Sequence, residues 1–162
     1  MRISGGRMWA LLRALDDPEH LEFPENFDHD ATREKFERLV TALGAAFGCA
    51  VDADRGVQDA SLHAIVGVPA EATSTGERLV LRISNFGSLA TLSIGNPGSL
   101  DTEEMETLLD AEDADSVYRV LDDLGYVVVP EAPLWVPYDG PSQISLPGEA
   151  RGTWWVRFFD YL

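Results

Sequence analysis

RLVLRISNF, residues 78–86, is followed after Gly87 by SLATLSIG, residues 88–95. Leu79, Leu81 and Ile83 alternate with Val80, Arg82 and Ser84, the two-residue period of a strand with a buried face. The second run has the same aliphatic and β-branched character. Asn85-Phe86-Gly87-Ser88 between them is a short break that favours a hairpin. Immediately upstream, ASLHAIVGV at 60–68 reads as another strand, joined through the turn-rich Pro69–Gly76. A further short strand near 49–54 is weakened by Asp52 and Asp54.

Outside this block the period changes from two to that of a helix. Phe36, Leu39, Val40, Leu43 and Phe47 form one stripe over 30–47. Asp28 and Asp30 are N-cap candidates, and Gly48 stands where a C-cap glycine belongs. Met8, Trp9, Leu11, Leu12 and Leu15 predict a shorter helix that stops at Asp17-Pro18. The loop from Glu19 to Asp30 is expected to be pinned to the body by Phe23 and Phe27. Downstream, Asn96-Pro97-Gly98 ends the sheet run, and Asp101 with Glu104 makes a capping-box pattern. Met105, Leu108 and Leu109 are expected to face inward, with a break around Ala111–Asp115. Val117, Val120, Leu121 and Leu124 then mark a helix stopped by Gly125, and Tyr126–Val129 reads as a buried strand.

Strands grouped in the middle with helices outside them predict an α+β fold rather than alternating α/β. The expected architecture is one domain over 1–162, with an antiparallel sheet of about four to five strands and helices packed on one face. Residues 1–28 supply an N-terminal helix and an acidic, aromatic loop. Residues 130–152 form a Pro/Gly-rich loop with a turn at Tyr138-Asp139-Gly140-Pro141. Residues 153–162 form an aromatic C-terminal element, read as a short helix capped by Thr153.

Twenty-eight acidic residues against twelve basic ones leave a net charge of -16 on this 162-residue chain. A field of that sign argues against direct binding to nucleic acid or an anionic membrane surface, because both depend on Lys and Arg neutralising phosphate. It suits a basic protein partner. The acidity is laid over an ordinary globular composition, 45% hydrophobic and 25% charged, so disorder of the whole chain is not expected. Lys35 is the sole lysine beside eleven arginines, which composition bias or high-salt adaptation accounts for. The single cysteine, Cys49, precludes an intramolecular disulfide and a cysteine metal cluster. No signal-peptide pattern and no long apolar run is found, and the expectation is a soluble cytoplasmic protein.

The motifs that carry common chemistries are missing. His20, His29 and His63 lack the helical spacing of a zinc site. Asp28-His29-Asp30 is read as helix capping, and Cys49 as a small buried hydrophobe. Asp52-Ala-Asp54-Arg-Gly56 opens like a calcium loop but puts Val57 at the position requiring glycine and His63 at the one requiring a bidentate acid. Neither a phosphate-binding glycine loop nor a GxSxG elbow is found. The chain is therefore expected to be non-enzymatic, with no cofactor and no metal.

Two features remain as candidate partner-binding elements. Acidic residues crowd 101–123, and Asp110, Glu112, Asp113 and Asp115 are taken as the centre of an electrostatic docking face. Aromatic residues gather toward the C-terminus: Trp135, Tyr138, Trp154, Trp155, Phe158, Phe159 and Tyr161. Of these, Trp135, Tyr138, Trp154 and Trp155 are candidates for partner contact. The expected function is an acidic binding protein, of the inhibitor or immunity type, that docks a basic protein such as a cationic nuclease toxin. The alternative is a small-molecule sensor domain with an aromatic pocket beside the C-terminus, where Arg82 or Arg157 would hold an acidic ligand.

Overall fold

In the computed structural model, which describes residues 1–58, 60–144 and 152–160, the alternation at 78–95 becomes a hairpin with two distinct faces. Strands β3 (Leu79–Ser84) and β4 (Leu89–Ile94) pair antiparallel, with Leu81 opposite Leu92 and Arg82 opposite Thr91. Gly87 and Ser88 both have positive φ, 58° and 53°, which matches the right-handed twist of the flanking strands. Glycine is needed at the first of these, because a Cβ there would also run into the Leu15 side chain. Strand β2 (Leu62–Val68) pairs antiparallel with β3 and carries a register shift between Leu62 and Ala64. Strand β1 (Asp52–Asp54) forms the antiparallel edge beyond it. At the other edge β5 (Val127–Val128) runs parallel to β4, giving the order β1-β2-β3-β4-β5. The sheet is thus mostly antiparallel. Among the strands named, the parallel pair β4–β5 follows from the helical crossover between them, and Arg2 adds a parallel bridge to Val128 on the outer side of β5.

The residues at the odd positions of β3 form one core. Leu79, Leu81 and Ile83 lie with Ala64, Val66 and Val68 of β2 and Ala90, Leu92 and Ile94 of β4. Over them pack α2 (His29–Phe47), through Phe36, Leu39 and Leu43, and α4 (Ala111–Asp123), through Val117 and Leu121. Asp28 accepts from the Ala31 amide at the start of α2, and Gly48 ends it in the left-handed conformation. Helix α4 begins at Ala111, inside the expected break, because the Asp110 carboxylate accepts from the Glu112 and Asp113 amides and fixes the first turn there.

A second cluster is built from α1 (Gly5–Leu15), the 3-10 turn Ala132–Trp135 and α5 (Trp154–Phe159), with Phe86 and Leu89 of the hairpin. Thr153 caps α5. The helical cover therefore extends beyond one face. Helix α5 meets the face of β3 that carries Arg82, whose guanidinium donates to the Phe159 carbonyl (2.7 Å) and lies over the Trp155 ring. The Phe159 carbonyl and the Trp155 ring offset part of the cost of burying this guanidinium, whose Nε has no hydrogen-bond partner among the described residues.

Phe23 and Phe27 stack on each other (5.3 Å between centroids) and edge-on against His29. They brace the loop on its own aromatic trio, with Phe23 still 37% exposed. Tyr161, Leu162 and residues 145–151 of the Pro/Gly-rich loop lie outside the described residues. No helix among those described is long and apolar enough to cross a membrane.

Candidate partner-binding surface

The acidic stretch resolves into two short helices whose carboxylates divide by role. In α3 (Thr102–Leu108) Asp101 and Glu104 complete the capping box, each accepting from the other's backbone amide. Asp110 caps α4. Asp113 is buried, accepting from the Ser74 amide (2.7 Å) and from the Ser74 hydroxyl (3.2 Å). It ties α4 to the loop before β3. Glu112 and Asp115 are exposed, as are Glu103, Glu106, Asp122 and Asp123. Of the four residues expected at the centre of the docking face, two are thus engaged in holding backbone, and Glu112 and Asp115 project free charge.

That division predicts different stability effects. Asp113→Ala leaves a buried amide and hydroxyl without their acceptor and should cost about 1–3 kcal/mol. Asp110→Ala removes an N-cap, a loss of about 1 kcal/mol. Glu112→Ala and Asp115→Ala should stay within about 0.5 kcal/mol of the parent. Urea denaturation of the four single variants checks this ranking. Equal losses at all four would refute the assignment.

Beside this face lies an apolar cleft of about 950 Å3. Its lining includes Leu92 of β4, Leu100, Met105 and Leu109 around α3, Tyr118 of α4 and Val128 of β5. Its far wall is the segment 1–4, which runs beside β5 with the Ile3 amide donating to the Val128 carbonyl (3.0 Å). Glu106, Asp122 and Glu131 also line it, as does Arg2, whose guanidinium sits 4.4 Å above the Tyr118 ring centroid. Asp122 receives the Met1 ammonium.

Glu131 links this cleft to the aromatic candidates. Its buried carboxylate accepts from the Ser93 hydroxyl, the Gly98 amide and the Trp135 indole N–H, the last at 3.0 Å. The loop before α3 lies close against that indole: a Cβ on Gly98, where φ is +79°, would fall 2.9 Å from the Trp135 ring. Trp135 and Val136 remain 38% and 44% exposed. Trp135 is stacked on Trp155 at 4.9 Å, so its position is fixed while one side of it faces outward.

The other aromatic candidates are core. Trp154 and Trp155 are each 1% exposed, packed against Trp9, Tyr138, Phe158 and Phe159. Tyr138 is half-buried, and its hydroxyl donates to Asp16 while accepting from the Ser142 amide (2.8 Å). Burial and the Asp16 carboxylate push its phenol upward from the ordinary value.

The two arginines expected to hold an acidic ligand are already occupied. Arg157, fully buried, pairs with Asp16 at 2.7 Å and donates to the carbonyls of Asp17, His20 and Leu21. Arg82 serves the end of α5, at the Phe159 carbonyl and within 3.4 Å of Asp160. Among the described residues, the rings of Trp154, Trp155, Phe158 and Phe159 pack against one another.

The remaining candidates have local roles. Lys35 donates to the Ser88 hydroxyl (2.8 Å) and to the Gly125 carbonyl past the end of α4, above the Tyr126 ring. Burial holds its amine below the ordinary range. His63 contacts Asn85 at 3.1 Å and the Phe36 ring, and burial lowers its imidazole. Cys49 is partly buried after the cap of α2. Among the described residues no group of three or more His, Cys, Asp or Glu side chains is placed to hold a metal ion.

A scan of protein-family models, a search of curated proteins and a search of solved structures each found no match to this chain.

Proposed function

We propose that this chain is a non-enzymatic binding protein that docks a basic protein partner on the α3–α4 face, in the manner of an inhibitor or immunity protein against a cationic toxin such as a nuclease. The observation that carries this reading is the adjacency of an apolar cleft and the exposed carboxylates of α3 and α4, Glu103, Glu106, Glu112 and Asp115. Protein interfaces combine a desolvated apolar centre with a polar periphery. Carboxylates at the periphery accelerate encounter with a cationic surface and disfavour acidic competitors.

The test uses Glu112→Lys with Asp115→Lys, since these residues carry no backbone of the fold. A partner captured from host lysate is identified, purified and titrated against parent and double variant. The expected outcome is a basic protein whose affinity falls as salt rises and falls about tenfold or more in the double variant, mainly through a slower association rate. An affinity indifferent to both salt and charge reversal would overturn the reading.

One observation favours a second reading, a small-molecule binding domain. The cleft volume lies within the range of roughly 300–1,000 Å3 usual for ligand sites. That site would be the α3–β5 cleft and not the C-terminal aromatic cluster.

A further inference from the structure

The docking reading leaves open what enters the cleft, and the inference that follows rests on it. We infer that the cleft between α3, α4 and β5 receives an apolar anchor side chain of the basic partner, carried on a segment with arginine or lysine on either side.

The lining supplies the anchor's environment. Leu92, Leu100, Met105, Leu109 and Val128 present aliphatic surface around one aromatic wall, Tyr118. The rim supplies the flanking preference: Glu106 borders the cavity, Asp122 does so while holding the Met1 ammonium, and Glu103 and Asp123 are exposed on the same two helices. Arg2 demonstrates the chemistry within the molecule. Its guanidinium stacks on the Tyr118 ring inside the cleft, the arrangement in which an aromatic face and nearby carboxylates attract a delocalised cation.

A second copy of this chain is a poor occupant, since two bodies of net charge -16 would meet acidic face to acidic face. A neutral hydrophobic molecule would use the lining but would leave the rim without a role. A purely cationic, polar segment would use the rim and leave the apolar lining exposed to water.

Two synthetic probes separate these cases: a leucine–arginine amphipathic helical peptide, and a serine–arginine peptide of the same length and charge. Each is titrated into the full chain, with amide and methyl NMR shifts as the readout. The variants are Ala132→Trp, which fills the cleft from an exposed lining position, Glu106→Lys at the rim, and Glu112→Lys with Asp115→Lys on the neighbouring face.

The expected result is roughly tenfold tighter binding of the leucine–arginine peptide. Shifts should centre on Leu92, Met105 and Tyr118. The preference should vanish in Ala132→Trp, and binding should weaken in Glu106→Lys. Equal binding of both peptides, unaffected by Ala132→Trp but weakened by Glu112→Lys with Asp115→Lys, would overturn the anchor inference and leave the docking reading standing. Leucine–arginine binding that ignores the Glu106→Lys change would also overturn the inference, and so would binding of neither peptide. Concentration-dependent dimerisation through the cleft, seen by sedimentation, would replace the partner segment with a second copy.

Discussion

Replacing Arg157 with methionine is expected to destabilise the protein by about 3–5 kcal/mol, the usual consequence of removing one member of a buried ion pair. Arg157 and Asp16 both have side chains at 0% exposure. The pair does not stand alone. The guanidinium lies against both the Phe86 and Phe158 rings, 4.7 and 4.9 Å from their centroids. Its remaining N–H groups serve the carbonyls of Asp17, His20 and Leu21, and Asp16 also receives the hydroxyls of Tyr138 and Ser142. One arginine thereby fastens the loop after α1 and the 138–142 turn to the last helix. Methionine would fill much of the volume but leave Asp16 without its cation and three carbonyls without donors. Arg157→Lys should fall between parent and methionine variant, since a single ammonium cannot reproduce the planar fork. Urea denaturation monitored by tryptophan fluorescence measures all three. A loss below about 1 kcal/mol for Arg157→Met would mean that the network contributes little.

Trp155→Ala should cost about 3–5 kcal/mol, the range for deleting a buried aromatic side chain. The indole is stacked between Trp135 and Phe159, at 4.9 and 5.5 Å, and lies under the Arg82 guanidinium. Its N–H donates to Asp160 at 3.2 Å. Removing the ring empties the space between β3 and the 3-10 turn, and it takes away the surface on which Trp135 rests. A pocket-lining tryptophan behaves otherwise, because a cavity already open on one side loses little packing when it is widened. Calorimetric melting of Trp155→Ala distinguishes these outcomes, and a near-parental melting temperature would restore the pocket reading for the C-terminal end. Trp135→Ala is the internal comparison: with 38% of its surface exposed it has less packing to lose.

Much of the sheet was legible from local pattern. Alternation at 79–84 set the two faces of β3, and the stripe Phe36, Leu39, Leu43 set the buried side of α2, because each pattern repeats with the geometry of its own backbone. Caps were legible for the same reason. Asp28, Asp101 and Thr153 act on amides three residues away, so the chemistry lies within a single turn. Helix α4 starts earlier than its apolar stripe predicts, because the Asp110 carboxylate holds the Glu112 and Asp113 amides. The candidate surface was legible only as a composition. Acidity at 101–123 could be counted, but whether a given carboxylate faces water or an amide is set by neighbours distant in the chain. Asp113 meets Ser74, thirty-nine positions away.

Residue order alone was enough to specify the α+β class, the strand hairpin at 78–95, the helix at 30–47 and a strong negative charge, since all of these follow from short-range periodicity or simple counting. Packing assigned the rest. It buried Arg157 against Asp16 across 141 positions, closed the tryptophan pair into core, and left Trp135 outside. It also opened a cleft between α3, α4 and the segment 1–4 that runs beside β5. These outcomes depend on volumes and hydrogen-bond partners brought together by chain folding, and no window of neighbouring residues contains that information.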